Sequence, residues 1–445
     1  MNMTSVLDTL DNFEGDIVEP GAADYESARR AVLTVGSPAY VLRPAGVGDV
    51  RAAVRFAASS GLPLAVRGGG HSFPGFATND GGLVIDLSRL SAVSLGGGSL
   101  VRVGGGATWG AVADALDPHG LAISSGDTRS VGVGGLTLSG GIGWKVRKHG
   151  LALDSLVGAE VVTADGSVLR ADATENPSLF WALRGGGGNF GVVTAFEFEA
   201  QPTTAVHHGK LSFPATSAAA VLQGWATYMR GAPEELTAIA TLANPFAGGP
   251  DAPVEIHLMF DGDDPSAAAT AIDPIRRLAP LLTDDVTLKP YGSVLEAGMT
   301  PPPGIRLVTR SAFIAPASVS AALAHLVEAA ASGKSPFLAI RTVGGAVSRV
   351  ADDATAYPHR KAELLVVATT LGPDPVIAAA TPALNAFWHR LAPHTMGAYA
   401  NFLSSSTEVD VAAVYPPNTY RRLATAKRQY DPSNLFAANH NVRPQ

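Results

Sequence analysis

The sequence predicts an α+β protein built from two domains, and three observations carry this. A chain of 445 residues that is 46% hydrophobic can enclose more than one core. Strand-like and helix-like runs alternate along its length. Near Pro202 the texture changes, from short elements broken by glycine clusters to longer helices and strands. The expected organisation is an N-terminal domain over 1–202, a second domain over 203–404 and a C-terminal segment over 405–445.

In the N-terminal domain, "PAYVLRPAG" reads as a strand. "DVRAAVRFAASSG" reads as a helix with Asp49 as N-cap, Val50, Ala53, Val54 and Ala57 as apolar stripe, and Gly61 as stop. "LPLAV", which ends at Arg67, "GGLVIDL" and "LVRVGGG" read as strands, and "ATWGAVADAL" as a helix capped by Thr108. "AEVVTADGSVLRA" has the pattern of a hairpin turning at Asp165-Gly166. In the second domain, "VEIHLMFDG", "PFLAIRTVGG", "ELLVVATTLG" and "GAYANFLS" (397–404) read as strands, and 318–333 and 374–391 as helices. "NTYRRLATAKRQYDPSNLF" supplies a last helix.

Composition excludes several functions. A net charge of −7 gives no electrostatic footprint for nucleic acid. No basic run suits an anionic membrane, and the apolar stretches are too short and too broken to span one. The acidic N-terminus lacks an apolar leader, so a cytoplasmic protein is expected. With no cysteine there are no disulfides, thiolate nucleophiles or Cys-type metal sites, and no metal ligand set is read. The chemistry falls to His, Tyr, Arg, Lys and carboxylates, or to a bound cofactor.

Five glycine clusters occupy 67–71, 103–108, 132–144, 163–166 and 184–191. Glycine lets backbone N–H groups turn inward around an anion and lets a ligand approach the main chain. Together the clusters suit the pyrophosphate of a dinucleotide better than a set of plain turns. None has the form of a P-loop, and the first does not open a Rossmann helix.

The segment "RGGGHSFPGFATNDGGLVIDLS", followed by "SVGVGGLTLSGGIGW", "NPSLFWALRGGGGNFGVVTAFEF" and "YRRLATAKRQYDPSNLFAANHNV", resembles the berberine bridge enzyme-like oxidases of the vanillyl-alcohol oxidase/p-cresol methylhydroxylase superfamily. The resemblance covers nearly the whole chain. It implies a PCMH-type FAD-binding domain of two α/β subdomains and a substrate domain with an antiparallel sheet covered by helices. It implies FAD joined covalently to His71, with Arg67, Gly68, Gly69, Gly70 and Ser72 around it. The second flavin loop would supply Thr128, Ser130, Val131, Gly134, Gly135, Gly140, Gly141 and Gly143. Val193, Asn439 and Asn441 would complete the cofactor site. Many relatives attach the flavin a second time through a cysteine where this chain has Thr128, so a single attachment is expected.

By the same resemblance, Val131 stands where valine is associated with oxygen access, which favours an oxidase. The substrate-side candidates are Tyr399, Asn401 and Arg341. Period-two alternation puts Tyr399 and Asn401 on one strand face and Ala339 with Arg341 on another, while Leu338 and Ile340 read as core. A tyrosinate at Tyr399 beside Arg341 or Lys145 is one reading of the general base; His359 reads first as a structural hydrogen-bonding residue, and only if Tyr399 fails do His359 and Lys145 become base candidates. Lys145 itself reads either as a solvated loop residue or as an anion-binding group at the pocket mouth. The expected activity is FAD-dependent oxidation of a small aromatic or heterocyclic molecule, with hydride passing to the flavin and O2 giving H2O2. A carbohydrate oxidase and a flavin-bearing sequestering protein are the alternatives. The expected partners are a small-molecule substrate and O2, without nucleic acid or membrane, and a homodimer is left open.

Overall fold

Residues 13–445 apart from 245–250, 299, 303 and 334, together with residue 10, are described by the computed structural model. The apolar run Leu83–Asp86 is buried at every position because it lies inside a four-stranded sheet. It is flanked in parallel by Tyr40–Arg43 and Leu64–Arg67, and Asp16–Val18 adds an antiparallel edge to Tyr40–Arg43. The helix Val47–Ser60 connects two of these strands and ends at Gly61, whose φ of 67° is the left-handed conformation that glycine adopts without strain. Asp49 is not its N-cap. The helix starts two residues earlier, and the Asp49 carboxylate instead accepts the N–H groups of Glu14 (3.0 Å) and Ala45 (2.8 Å). Thr108 does cap its helix, accepting the N–H of Ala111.

A second, five-stranded antiparallel sheet runs in the order Val93–Leu95, Leu100–Gly104, Val192–Glu199, Leu156–Val162, Val168–Asp172. Its last two strands are the hairpin expected around Asp165-Gly166, with Val162 opposite Val168.

The third sheet has nine antiparallel strands from Val206–Phe213 to Thr395–Gly397. Alternation gives it two different faces. Leu338, Ile340, Ala240 and Leu258 pack beneath the helices Ala218–Met229, Val319–Ala331 and Asp374–Leu391. Ile239 and Ala339 point the other way, against Trp144 and Tyr291. The strand expected over 397–404 stops at Gly397, and Ala400–Phe402 forms a 3-10 turn. The Ser311 hydroxyl takes the place of the ladder, accepting the Tyr399 N–H and donating to the Tyr399 carbonyl, both at 3.0 Å.

The C-terminal helix Pro417–Tyr430 returns to the N-terminal part, where Leu423, Ala424 and Tyr430 pack with Leu179 and Phe190. The fully buried Lys427 anchors it, donating to Asn189 O (2.7 Å), Phe436 O (3.0 Å) and Asp431 (2.7 Å).

Residues 145–149 join the N-terminal part to the large sheet. The Arg147 guanidinium donates to the carbonyls of Met229, Ala232, Pro233 and Leu236, where the Ala218–Met229 helix has ended and its chain turns into the next strand. Lys145, 1% exposed, bonds Asp261 at 2.5 Å and Thr203 at 3.0 Å. It is neither a solvated loop residue nor an anion site. His149 and Lys148 also engage Asp261, whose carboxyl is held well below the ordinary range: burial pushes it up, and these three partners outweigh that push. Removing Arg147 strands several buried carbonyls, each costing about 1–3 kcal/mol. Arg147→Met is therefore expected to lower stability by at least about 3 kcal/mol in urea unfolding of the holoprotein, whereas Lys148→Met, whose partner is shared, is expected to change it by less than about 1 kcal/mol.

Candidate active site

A cavity of about 450 Å³ opens between the glycine loops and the unhelical face of the large sheet. One end is backbone. Gly69 and Gly132 lie so close that a Cβ on Gly69 would fall 2.2 Å from Gly132 N, and one on Gly132 would fall 2.3 Å from Gly69 N. Only two glycines permit this contact, and it fuses the first two loops into one wall. Gly187, Gly188 and Asn189 from the 184–191 cluster add a second wall. The 163–166 cluster contributes nothing here; it is the hairpin turn described above.

His71 projects into this end. Its ring rests on the Ser130 backbone carbonyl, and its Nε2 is buried with no partner. Burial lowers its pKa against the opposing effect of that hydrogen bond, so the ring is neutral. A neutral imidazole at the cavity wall, with one nitrogen hydrogen-bonded and the other without a partner, keeps a lone pair that can act as a nucleophile.

The other end carries side chains. Tyr399 accepts the Gly141 N–H at 2.8 Å and the Asn401 amide at 2.9 Å, and Asn401 also reaches the Leu136 carbonyl at 3.3 Å. Gly140, at φ 147°, makes room for the tyrosine: a Cβ there would fall 2.8 Å from its ring. Burial raises the Tyr399 pKa and outweighs the hydrogen bonds and the Arg341 charge that oppose it. The phenol is therefore protonated, and the tyrosinate reading fails. Arg341 is committed elsewhere, to Asp127 at 2.7 Å.

Of the residues singled out in the sequence, Gly68, Gly69, Gly70, His71, Ser72, Thr128, Val131, Gly134, Gly135, Val193, Tyr399, Asn401 and Asn439 line the cavity. Gly140, Gly141, Gly143, Ser130 and Arg341 support it from behind. Arg67 does not reach it: the guanidinium is buried against Asp86 (2.9 Å) and the carbonyls of Ala28 and Arg30, because a charge in that core needs those partners. Asn441 lies off the wall as well, with Oδ1 buried and unpartnered. His359 is not a cavity residue; it stacks on Phe313 and meets the Val414 carbonyl at 3.2 Å.

Two residues escaped sequence reasoning. Asp127 and Glu296 are the carboxylates of the cavity wall, and their backbones are joined: Glu296 N–H donates to Asp127 O and Arg129 N–H to Glu296 O, both at 2.8 Å. Asp127 lies well below the ordinary range. Burial pushes it up, but the Arg341 charge and the hydrogen bonds of Arg341 and Thr128 prevail.

Residues 38–172 match the FAD binding domain family and residues 398–443 the berberine and berberine-like family. The chain is 30% identical to (R)-6-hydroxynicotine oxidase of Paenarthrobacter nicotinovorans across the full length of both proteins. The chain belongs to the berberine bridge enzyme-like FAD-linked oxidases. It is accordingly an FAD-dependent oxidoreductase of the oxidase type. Another member, xylooligosaccharide oxidase of Thermothelomyces thermophilus, is 32% identical over 92% of this chain and 88% of its own. Solved structures of members agree in fold. The 6-hydroxy-D-nicotine oxidase of Arthrobacter nicotinovorans superposes with a TM-score of 0.86 over 97% of this chain and 98% of its own at 28% identity. The xylooligosaccharide oxidase of Myceliophthora thermophila superposes with 0.87 over 99% of both at 27%. The residues present fit the family's cofactor: a cradle that a single Cβ would fill, and an orphaned imidazole nitrogen within it. Among the described residues, no group of three or more His, Asp or Glu could hold a metal ion, and no helix is long and apolar enough to cross a membrane.

His359 carries a pH signature. Burial lowers its pKa to about 4, against near 6.5 for an unfolded chain. Between those values the unfolded chain binds more protons, so stability falls as pH drops from 6.5 toward 4, by on the order of 3 kcal/mol. In His359→Gln the difference in urea midpoint between pH 7 and pH 4.5 is expected to shrink relative to wild type.

Proposed function

We propose that the protein oxidises a small aromatic or heterocyclic molecule, with FAD fastened through a single bond to His71 and O2 as electron acceptor. The observation that carries this reading is the two-ended cavity: a glycine cradle with a free imidazole nitrogen at one end, and a mostly apolar chamber with a few polar groups at the other. Leu136, Ile142, Leu307 and Phe402 leave little in that chamber to satisfy the hydroxyls of a sugar chain. The similarity to a xylooligosaccharide oxidase supports carbohydrate oxidation as the second reading.

The chemistry supplied by FAD when bound is acceptance of a hydride and its discharge to O2 as hydrogen peroxide. The protein's own groups do the rest. Tyr399 has its lone pairs occupied by Gly141 and Asn401, so its proton is directed to a ligand heteroatom. Asn401 fixes that phenol, and the contacts of both with the 136–141 segment hold substrate side and cofactor side in register. Leu136 and Phe402 exclude water. Val131, small and at the wall, leaves a path for oxygen. Thr128, which donates to Asp127 at 3.0 Å, has no thiol with which to form a second flavin bond, and this supports a single attachment.

Denatured wild-type protein is expected to stay yellow and to show a mass increased by one FAD, while His71→Ala releases its flavin on denaturation. Colourless denatured wild type would refute the covalent assignment. Tyr399→Phe keeps the ring and removes the proton donor. Anaerobic flavin reduction by substrate is expected to fall by at least about tenfold, the low end of acid–base assistance, with flavin content unchanged. Peroxide formed with xylobiose and with no aromatic substrate would instead select the second reading.

A further inference from the structure

We propose that Glu296 sets substrate charge: its carboxylate receives the cationic centre of an organic ammonium substrate. This rests on the small-molecule reading above and narrows it. The argument is a count of charges. No lysine or arginine lines the cavity, and its histidines, His71 and His440, are buried with lowered pKa. Its two carboxylates are Asp127 and Glu296. Asp127 is neutralised by Arg341 from behind the wall.

The other cations nearby are also taken. Lys210 and His257 share Glu255, at 2.6 and 3.3 Å, and Arg129 holds Asp114 at 2.5 Å. Among the described residues, the Glu296 carboxyl makes no hydrogen bond or salt bridge, so the wall presents one uncompensated negative charge. The residue carrying the charge is anchored through its main chain. Two backbone hydrogen bonds, to Asp127 and from Arg129, hold the Glu296 main chain on the rim of the flavin-side loop, so the side chain starts from a defined point.

Burial and the Asp127 charge raise the Glu296 pKa against the weaker opposing pull of Arg341 and His257, so a further cation beside it would stabilise the carboxylate. The apolar surface of Leu307 and Phe402 shares that end of the cavity and suits the carbon frame of such a ligand. A metal ion does not fit, since one free carboxylate is too few ligands. A charge-assisted contact of this kind contributes about 1.5–3 kcal/mol, which is about 10- to 150-fold in affinity.

The test uses a matched pair of probes, benzylammonium and benzyl alcohol, bound anaerobically to holoenzyme at pH 8 and followed by calorimetry. Wild type is expected to bind the ammonium at least about tenfold more tightly. Glu296→Gln, isosteric and at an open rim, is expected to bring the two within about threefold while leaving the thermal midpoint and flavin content unchanged. Equal binding of both probes by wild type overturns the inference and leaves the small-molecule reading standing. A preference retained in Glu296→Gln overturns it as well. Binding of xylobiose with neither aromatic probe bound overturns the small-molecule reading itself.

Discussion

Everything at the site depends on how the N-terminal part meets the large sheet, and that meeting is fixed by one guanidinium. Arg147 lies in the four-residue helix Val146–His149 that follows the second flavin loop, and it reaches into four carbonyls around the end of a substrate-side helix. A buried arginine without partners would be prohibitively costly, and carbonyls at a helix end without donors would be costly too. Each solves the other's problem, and no other pairing satisfies both. Lys145 with Asp261 repeats the logic two residues earlier. The cavity is the space these contacts enclose.

Within that frame the flavin loop and the substrate strands are tied to each other atom by atom. Gly141 and Leu136 are bonded to Tyr399 and Asn401, while Asp127 is bonded to Arg341 and to the backbone of Glu296. The walls on the two sides of the reacting centre are thus bonded directly to one another. Such direct bonds between distant stretches of chain are how a site of this kind can hold a reacting pair in line.

The sequence made much of this legible. Glycine clusters abutting a histidine, in a chain without cysteine, named the cofactor end, and alternation in "FLAIRTV" placed Leu338 and Ile340 in the core and Ala339 opposite. The misses have definite causes. Asp49 looked like a cap because a capping residue and a first-turn acid differ only in backbone register. "GAYANFLS" read as a strand because its pattern alternates, whereas the Ser311 hydroxyl, 88 positions away, replaces the ladder. Arg67 adjoins the glycines in sequence, but it ends a parallel strand whose neighbour supplies Asp86, so its charge is used inside the sheet. Asp127 and Glu296 carry no motif. They meet only through a bridge between two loops, and single-sequence patterns hold no information on such pairings.

The two-faced sheet has a consequence for how this scaffold diversifies. Adjacent residues of Phe337–Thr342 belong to different tasks: Leu338 and Ile340 pack against the covering helices, while Ala339 packs toward Trp144 and Tyr291 and Arg341 holds Asp127 of the cavity wall. A substitution at 339 or 341 reaches the chamber only through the wall residues it supports and leaves the helix contacts alone, whereas one at 338 or 340 disturbs the helix packing. Catalytic specificity and folding are thereby written in separate, interleaved registers of one strand. Relatives acting on an alkaloid and on an oligosaccharide can therefore share a backbone to within a TM-score of about 0.86 of this one.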